Sequence, residues 1–324
     1  MQALRATLES RQIPIYFCAV AAAVLVALLV PGTAALEGFI NPALALMLYA
    51  TFLQVPVAGL GRAFGQARFL AALLSSNFIV IPLLVALILR FLPADPMLRL
   101  GVLLVLLTPC IDYVVAFAHL GRADSRLLLA ATPILLLVQM LLLPVYLVIF
   151  LGEDAAELVA IGPFLHAFVW LILVPLALAA LTQRWLARSP AGQGAGAVFD
   201  LLPVPATALV LFIVVAAVLP RLGPAMDAAL RVVPAYIAFA ILAPVAGWWT
   251  GRAMRLDPPA RRAIAFSSAT RNSLVILPLA LAVPGAIPLL PAIIVTQTLV
   301  ELLAEIAYVR IIGALPLQAR GISP

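Results

Sequence analysis

The sequence predicts an all-α integral membrane protein of ten transmembrane helices, arranged as two inverted five-helix repeats. Three observations predict it. The composition is too apolar for a soluble fold, ten stretches have spanning length, and polar breaks fall at matching places in the two halves. Of 324 residues, 66% are hydrophobic and 10% charged, against roughly half and a quarter in a soluble domain. Mean hydropathy is +1.22. A soluble fold of this size leaves too much surface to cover with so few polar groups, so lipid must cover the rest.

A membrane-spanning helix needs about 20 mainly apolar residues. Ten stretches qualify: 13–30, 40–60, 69–92, 98–120, 127–151, 161–181, 201–219, 232–249, 263–283 and 286–311. The seventh, bracketed by Pro203, Pro205 and Pro220, carries the weakest pattern. Arginine placement gives the orientation, because cytoplasmic loops collect positive charge. All nineteen basic residues are arginines. Fourteen lie in the termini and the loops that follow even-numbered spans, four in the opposite loops, and the loop after the fifth span carries only Glu153, Asp154 and Glu157. Both termini are therefore expected in the cytoplasm, in a multi-pass protein of the cell inner or plasma membrane. The start, MQALRATLESRQ, lacks a small-x-small cleavage site and reads as the lead into a retained first helix.

Splitting the chain at the acidic loop gives five spans in 1–151 and five in 160–314. An odd number of spans per half forces opposite topologies, the inverted-repeat plan of many secondary transporters. That plan expects polar breaks in corresponding helices. The fourth span is broken by Thr108-Pro109-Cys110-Ile111-Asp112-Tyr113, and the ninth, fourth of its half, by Ser267-Ser268-Ala269-Thr270-Arg271-Asn272-Ser273.

Within these breaks the residue types suggest chemistry. Pro109 lacks an amide hydrogen, and backbone groups left open at mid-membrane persist only where protein buries them or a wet cavity solvates them. Asp112 and Arg271 are charges at or near the membrane interior, each costing at least ~2.5–3.5 kcal/mol there. Glu301 and Glu305 lie four residues apart in the tenth span, on one helix face. Arg271 could form a structural salt bridge with Glu301 or Asp112. Equally, Asp112 or Glu301 could gain and lose a proton as substrate moves. Glu305, nearer the cytoplasmic end, is expected to be solvated. Cys110 could be a packing residue, or its sulfur a soft ligand for a metalloid. Cys18 reads as packing. Among mid-span amides, Asn77 beside Ser75 and Ser76, and Gln297 between Thr296 and Thr298, are the candidate cavity residues; Gln54 and Gln139 read as interhelical contacts.

Several classes are disfavoured. The arginines form no basic stripe of the kind that binds nucleic acid. The two cysteines and two histidines form no disulfide framework or metal motif. No phosphate-binding loop, dinucleotide fingerprint or nucleophile motif is present, so neither an ATP-driven pump nor an enzyme is expected.

The stretches TPCIDYVVAFAHLGRAD and ATPILLLVQMLLLPVYL resemble the fourth and fifth helices of the bile acid:sodium symporter superfamily. SSNFIVIPLL in the third span, SSATRNSLVILPLALAVP in the ninth and IVTQTLVEL in the tenth fit the same resemblance. Within the superfamily the sequence is most similar to the arsenical-resistance, or arsenite efflux permease, branch. The resemblance implies a panel of helices 1, 2, 6 and 7 and a core of helices 3–5 and 8–10, with helices 4 and 9 unwound and crossing. It implies substrate between them; Cys110 and, from the polar breaks and the third span, Thr108, Pro109, Asn77, Ser268, Thr270 and Asn272 are the candidate substrate residues. Cys110 matches the branch's cysteine after proline, and Glu301 its acid in span 10. Arsenite would leave in exchange for protons, with Asp112 and Glu301 as coupling acids and no cofactor or resident metal. The bile-acid branch has sodium-liganding polar residues where this chain has Val114 and Val115, and an acid near Ser267. Arg271, close to an uncharged amide of that branch, would repel sodium. The same arginine leaves open a sodium-independent carrier of organic anions, with Arg271 holding a carboxylate. A membrane sensor or a lipid-acting enzyme is the remote third reading.

Overall fold

The computed structural model describes residues 2–54, 65–111, 113–152, 166, 169–188, 196–221 and 223–315. The described residues are almost entirely helical. In chain order the helices are α1 (Gln2–Ser10), α2 (Gln12–Leu29), α3 (Ile40–Gln54), α4 (Ala67–Leu89), α5 (Pro96–Leu106), α6 (Tyr113–Leu120) and α7 (Ser125–Leu151). After these come α8 (Val174–Arg188), α9 (Pro203–Val218), α10 (Met226–Ala253), α11 (Pro258–Ala269), α12 (Ser273–Leu281) and α13 (Leu289–Ile311). Among the described residues seven helices are long and apolar enough to cross a membrane. Ten spans were expected. The expected fourth and ninth are each two short helices flanking a non-helical segment, α5–α6 and α11–α12, and the expected sixth lies partly outside the described residues.

The chain forms two compact units. The first comprises Met1–Val55, Leu158–Asp227 and Leu277–Val295. In it α9 packs on α2 and α3, and α8 packs on α3. The C-terminal carbonyls of α3 lack helical partners. Gln183 Nε2 donates to two of them, Phe52 O and Leu53 O, at 3.0 Å each, and the Tyr49 and Thr182 hydroxyls pair at 2.9 Å. Cys18, expected to pack, lies exposed on α2. The expectation failed because an apolar position on a membrane helix can face lipid as readily as protein.

The second unit comprises Pro56–Glu157, Ala228–Ile276 and Thr296–Pro324. Its polarity is the reverse of a soluble domain's. Leu83, Leu87, Leu137, Leu141 and Ile149 point outward, while Asn77, Thr108, Ser267, Thr270, Arg271 and Glu301 are buried. Two helices start from acidic caps: Asp95 accepts from Leu98 N at 2.9 Å ahead of Pro96 at the start of α5, and Asp124 accepts from Leu127 N at 3.1 Å at the start of α7.

Prolines inside these helices withdraw an N–H from the carbonyl four residues earlier, and hydroxyl groups take the open acceptors. Pro82 withdraws one from Phe78 O, to which Tyr146 donates at 2.5 Å. Pro133 withdraws one from Leu129 O, which accepts from Thr132 Oγ1 at 2.8 Å. Pro244 withdraws one from Ala240 O, which accepts from the Tyr308 hydroxyl. The first and third sets correspond: Phe78 and Ala240, Pro82 and Pro244, and Tyr146 and Tyr308 are each 162 positions apart. Thr108 and Thr270 stand at the same interval, and each hydroxyl bonds the carbonyl four residues back, Leu104 O at 2.9 Å and Phe266 O at 2.8 Å.

Candidate functional site

The site is built where the two breaks meet. After Leu106 and after Ala269 the chain leaves the helix and runs extended for a few residues. The two segments pair antiparallel at Pro109 and Arg271. Cys110 N donates to Thr270 O at 3.0 Å, and Asn272 N donates to Thr108 O at 2.8 Å. Pro109 thus faces Arg271 at a position where neither residue's N–H serves the ladder, so a proline is tolerated there. Its missing amide instead opens Val105 O, which lies 3.0 Å from Thr108 Oγ1 and shares that hydroxyl's one proton with Leu104 O.

The crossing is locked from α13. Glu301 Oε2 accepts from the Arg271 backbone N–H at 2.7 Å and from Gln297 Nε2 at 2.6 Å. Glu301 Oε1 accepts from the Tyr113 hydroxyl at 2.5 Å. The carboxylate is buried and reads both broken helices at once, through Tyr113 at the start of α6 and Arg271 before α12. One turn along, Glu305 is 0% exposed, and its Oε1 lies 2.5 Å from Thr270 Oγ1. The expectation that Glu305 is solvated is therefore corrected: α13 turns the same face inward at both acids, and Thr270 reaches the second. Beside Glu301 is a cavity with room for about one water molecule, lined by Tyr236, Phe239, Gln297 and Tyr308. The buried Tyr236 hydroxyl and Gln297 Oε1 make no hydrogen bond, so a water there would find polar partners.

Arg271 is 0% exposed. Its guanidinium turns toward oxygen atoms of the protein: Asn77 Oδ1 at 2.9 Å and Ser267 O at 2.5 Å from Nη2, and Leu106 O at 3.3 Å from Nη1. It also stands 5.5 Å from the centre of the Phe239 ring, within cation–π range. Asn77 occupies a π-helical turn, Ser76–Val80, a distortion frequent at functional sites. Its Nδ2 is held by Leu73 O at 3.1 Å and Ser267 Oγ at 3.0 Å. Ser76 and Ser268 hydroxyls pair at 2.7 Å.

A sequence profile of the Sodium Bile acid symporter family matches residues 41–223. The chain belongs to this family. No curated protein matches the chain. Family membership and the apolar helices make the protein a multi-pass membrane transporter. The Sodium Bile acid symporter family match includes the first break, around Pro109, and ends before the second, so Arg271 and both α13 acids lie beyond it.

Of the residues singled out in the sequence, the structure brings Asn77, Thr108, Pro109, Cys110, Ser268, Thr270, Arg271, Asn272 and Glu301 into one buried region of the second unit. Cys110 is 0% exposed. Asp112 lies outside the described residues. Among the described residues no group of three or more histidine, cysteine or acidic side chains could hold a metal ion. Sequence reasoning did not single out Tyr113 or Phe239, although Tyr113 stands in the polar break itself.

Proposed function

We propose that the chain is a secondary active transporter that expels arsenite, or a related metalloid, in exchange for protons. The observation that carries this reading is the placement of Glu301. One carboxylate, held by Tyr113, Gln297 and the Arg271 amide, touches both halves of the crossing. Adding or removing its proton changes which of these three donors it can keep, and so acts on the backbone that pairs with Pro109. Cys110, on the opposite strand of that pair, supplies a thiol to the metalloid. In this reading the chain consists of the inverted repeats 1–151 and 160–314. Helices 1, 2, 6 and 7 form a panel, helices 3–5 and 8–10 form a core, and both termini lie in the cytoplasm. The repeated Pro–carbonyl–Tyr sets and the matched Thr108 and Thr270 bonds support the repeat.

The organic-anion reading has less support. It requires Arg271 to offer its fork to a carboxylate, and three of its five N–H groups, both of those on Nη2 among them, already bond protein oxygens. Nothing favours the sensor or lipid-enzyme readings.

Arsenite flux in proteoliposomes tests the proposal. An imposed pH gradient should drive it, Cys110→Ser should abolish it with the fold intact, and Glu301→Gln should uncouple it from pH. Flux that ignores the gradient in the unaltered protein would remove proton coupling. Full flux in Cys110→Ser would remove the thiol's role.

A further inference from the structure

We infer that the Arg271 guanidinium is a tethered cation occupying a cation-coordination site made of Leu106 O, Ser267 O and Asn77 Oδ1. All three ligands are neutral oxygens. Two are main-chain carbonyls in the last turns of α5 and α11. Helix C-termini carry partial negative charge, and the C-terminal ends of half-helices in broken membrane helices are suited to hold monovalent cations. The third ligand is oriented: with Nδ2 tied to Leu73 O and Ser267 Oγ, Asn77 can present only Oδ1 to the site. The Phe239 face adds a further cation-attracting surface.

Two details show that the site is shaped for a charge more than for an arginine fork. No carboxylate of the described residues bonds the guanidinium; Glu301, the acid at the crossing, bonds the main-chain N–H of Arg271. In addition, the buried Nε has no hydrogen-bond partner. A guanidinium selected for bidentate recognition would use it. The oxygens instead gather on the two Nη atoms, two on Nη2 and one on Nη1.

A cation bonded to the backbone cannot leave with substrate. It holds the crossing together permanently and contributes nothing to ion coupling. On the transporter reading above, on which this consequence rests, the coupling charge must therefore be carried by a group that can lose it, such as the α13 carboxylates.

Thermal melting of purified protein tests the site. The media are choline, sodium and guanidinium chloride at equal ionic strength, with guanidinium far below denaturing levels. The unaltered protein should melt at the same temperature in sodium and choline. Arg271→Ala empties the site, so it should melt lower in choline and rise by a few degrees in sodium or guanidinium, because a ligand bound only by the folded state raises stability. Adding Asn77→Ala to Arg271→Ala should remove most of that response. Arg271→Lys, which keeps a tethered charge, should be indifferent to the cation. Identical melting of Arg271→Ala in all three salts would overturn the inference. So would failure to recover it in any of them, since a refilled site must restore the fold. These curves need no transported substrate. An unaltered protein that does not move arsenite would sink the transport proposal and leave them unchanged.

Discussion

Tyr113 shows how much one hydroxyl can govern. It has a single proton and two acceptors in reach, Glu301 Oε1 at 2.5 Å and Arg271 O at 3.1 Å. The shorter contact is the charge-assisted one. Tyr113→Phe keeps the ring's edge-on packing against Phe117 and deletes only the donor. A hydrogen bond to a charged group contributes about 1.5–3 kcal/mol, so the melting temperature should fall, more at a pH where Glu301 is ionised than where it is protonated. An equal fall at both would mean that the hydroxyl serves the Arg271 carbonyl instead. At this scale the sequence was legible in part. The polar runs named the residues that meet, because charged and amide groups inside membrane spans are rare enough to stand out. Their partners were not legible. Glu305 was expected in solvent, and it is buried with its carboxyl group against Thr270, thirty-five positions away in the sequence. Likewise the sequence suggests a side-chain salt bridge from Arg271 to Glu301 or Asp112, whereas it is the backbone N–H of Arg271 that bonds Glu301.

Among the helices, the prolines matter most. Pro82 and Pro244 each remove a backbone donor, and a distant tyrosine hydroxyl replaces it. This substitution predicts a coupled pair. Tyr308→Phe should destabilise the protein by about 1 kcal/mol through the lost bond to Ala240 O. In a Pro244→Ala background the same change should cost much less, because the alanine N–H can take that carbonyl. A double-mutant cycle measures the coupling; additive effects would refute the account. Helix contact is equally specific at Gly247 of α10. A Cβ there would lie 2.5 Å from Ser268 Oγ and 2.8 Å from Ile264 O. Gly247→Ala should therefore cost about 1–3 kcal/mol as overpacking, read as a lowered melting temperature, while Gly38→Ala, with open space at its Cβ, should cost far less. Seven long apolar helices were readable from hydropathy, and so were the breaks between α5 and α6 and between α11 and α12. The hydroxyl–carbonyl bonds were not, since nothing local marks Tyr146 as serving Phe78. A signal was present all the same: Pro82 with Tyr146, and Pro244 with Tyr308, repeat one spacing in both halves.

Over the whole molecule the charge asymmetry makes a prediction of its own. Fourteen arginines on one side should fix that side in the cytoplasm. Arg252 is exposed and stacks over Trp249 at 5.0 Å, as expected of a residue at a membrane–water boundary. A cysteine introduced there, Arg252→Cys in a Cys18→Ser background, should react with an impermeant maleimide in inside-out vesicles and not in right-side-out ones. The opposite pattern would invert the topology. Composition alone made the membrane assignment, because no arrangement of the chain hides so much apolar surface from water. The grouping of helices into two compact units required the structure. Each unit draws on three separated stretches of chain, and no local property of a sequence reports which distant stretches will join.

The paired breaks also set a schedule for synthesis. Thr108 O and the Cys110 N–H have their partners in Asn272 and Thr270, about 160 residues downstream. At roughly 5–20 residues per second of translation, that delay is on the order of ten to thirty seconds. Through that interval the ribosome has delivered a half-made hairpin whose open amide and carbonyl lie where hydrocarbon will not solvate them. The insertion machinery must shelter the first break until the second arrives.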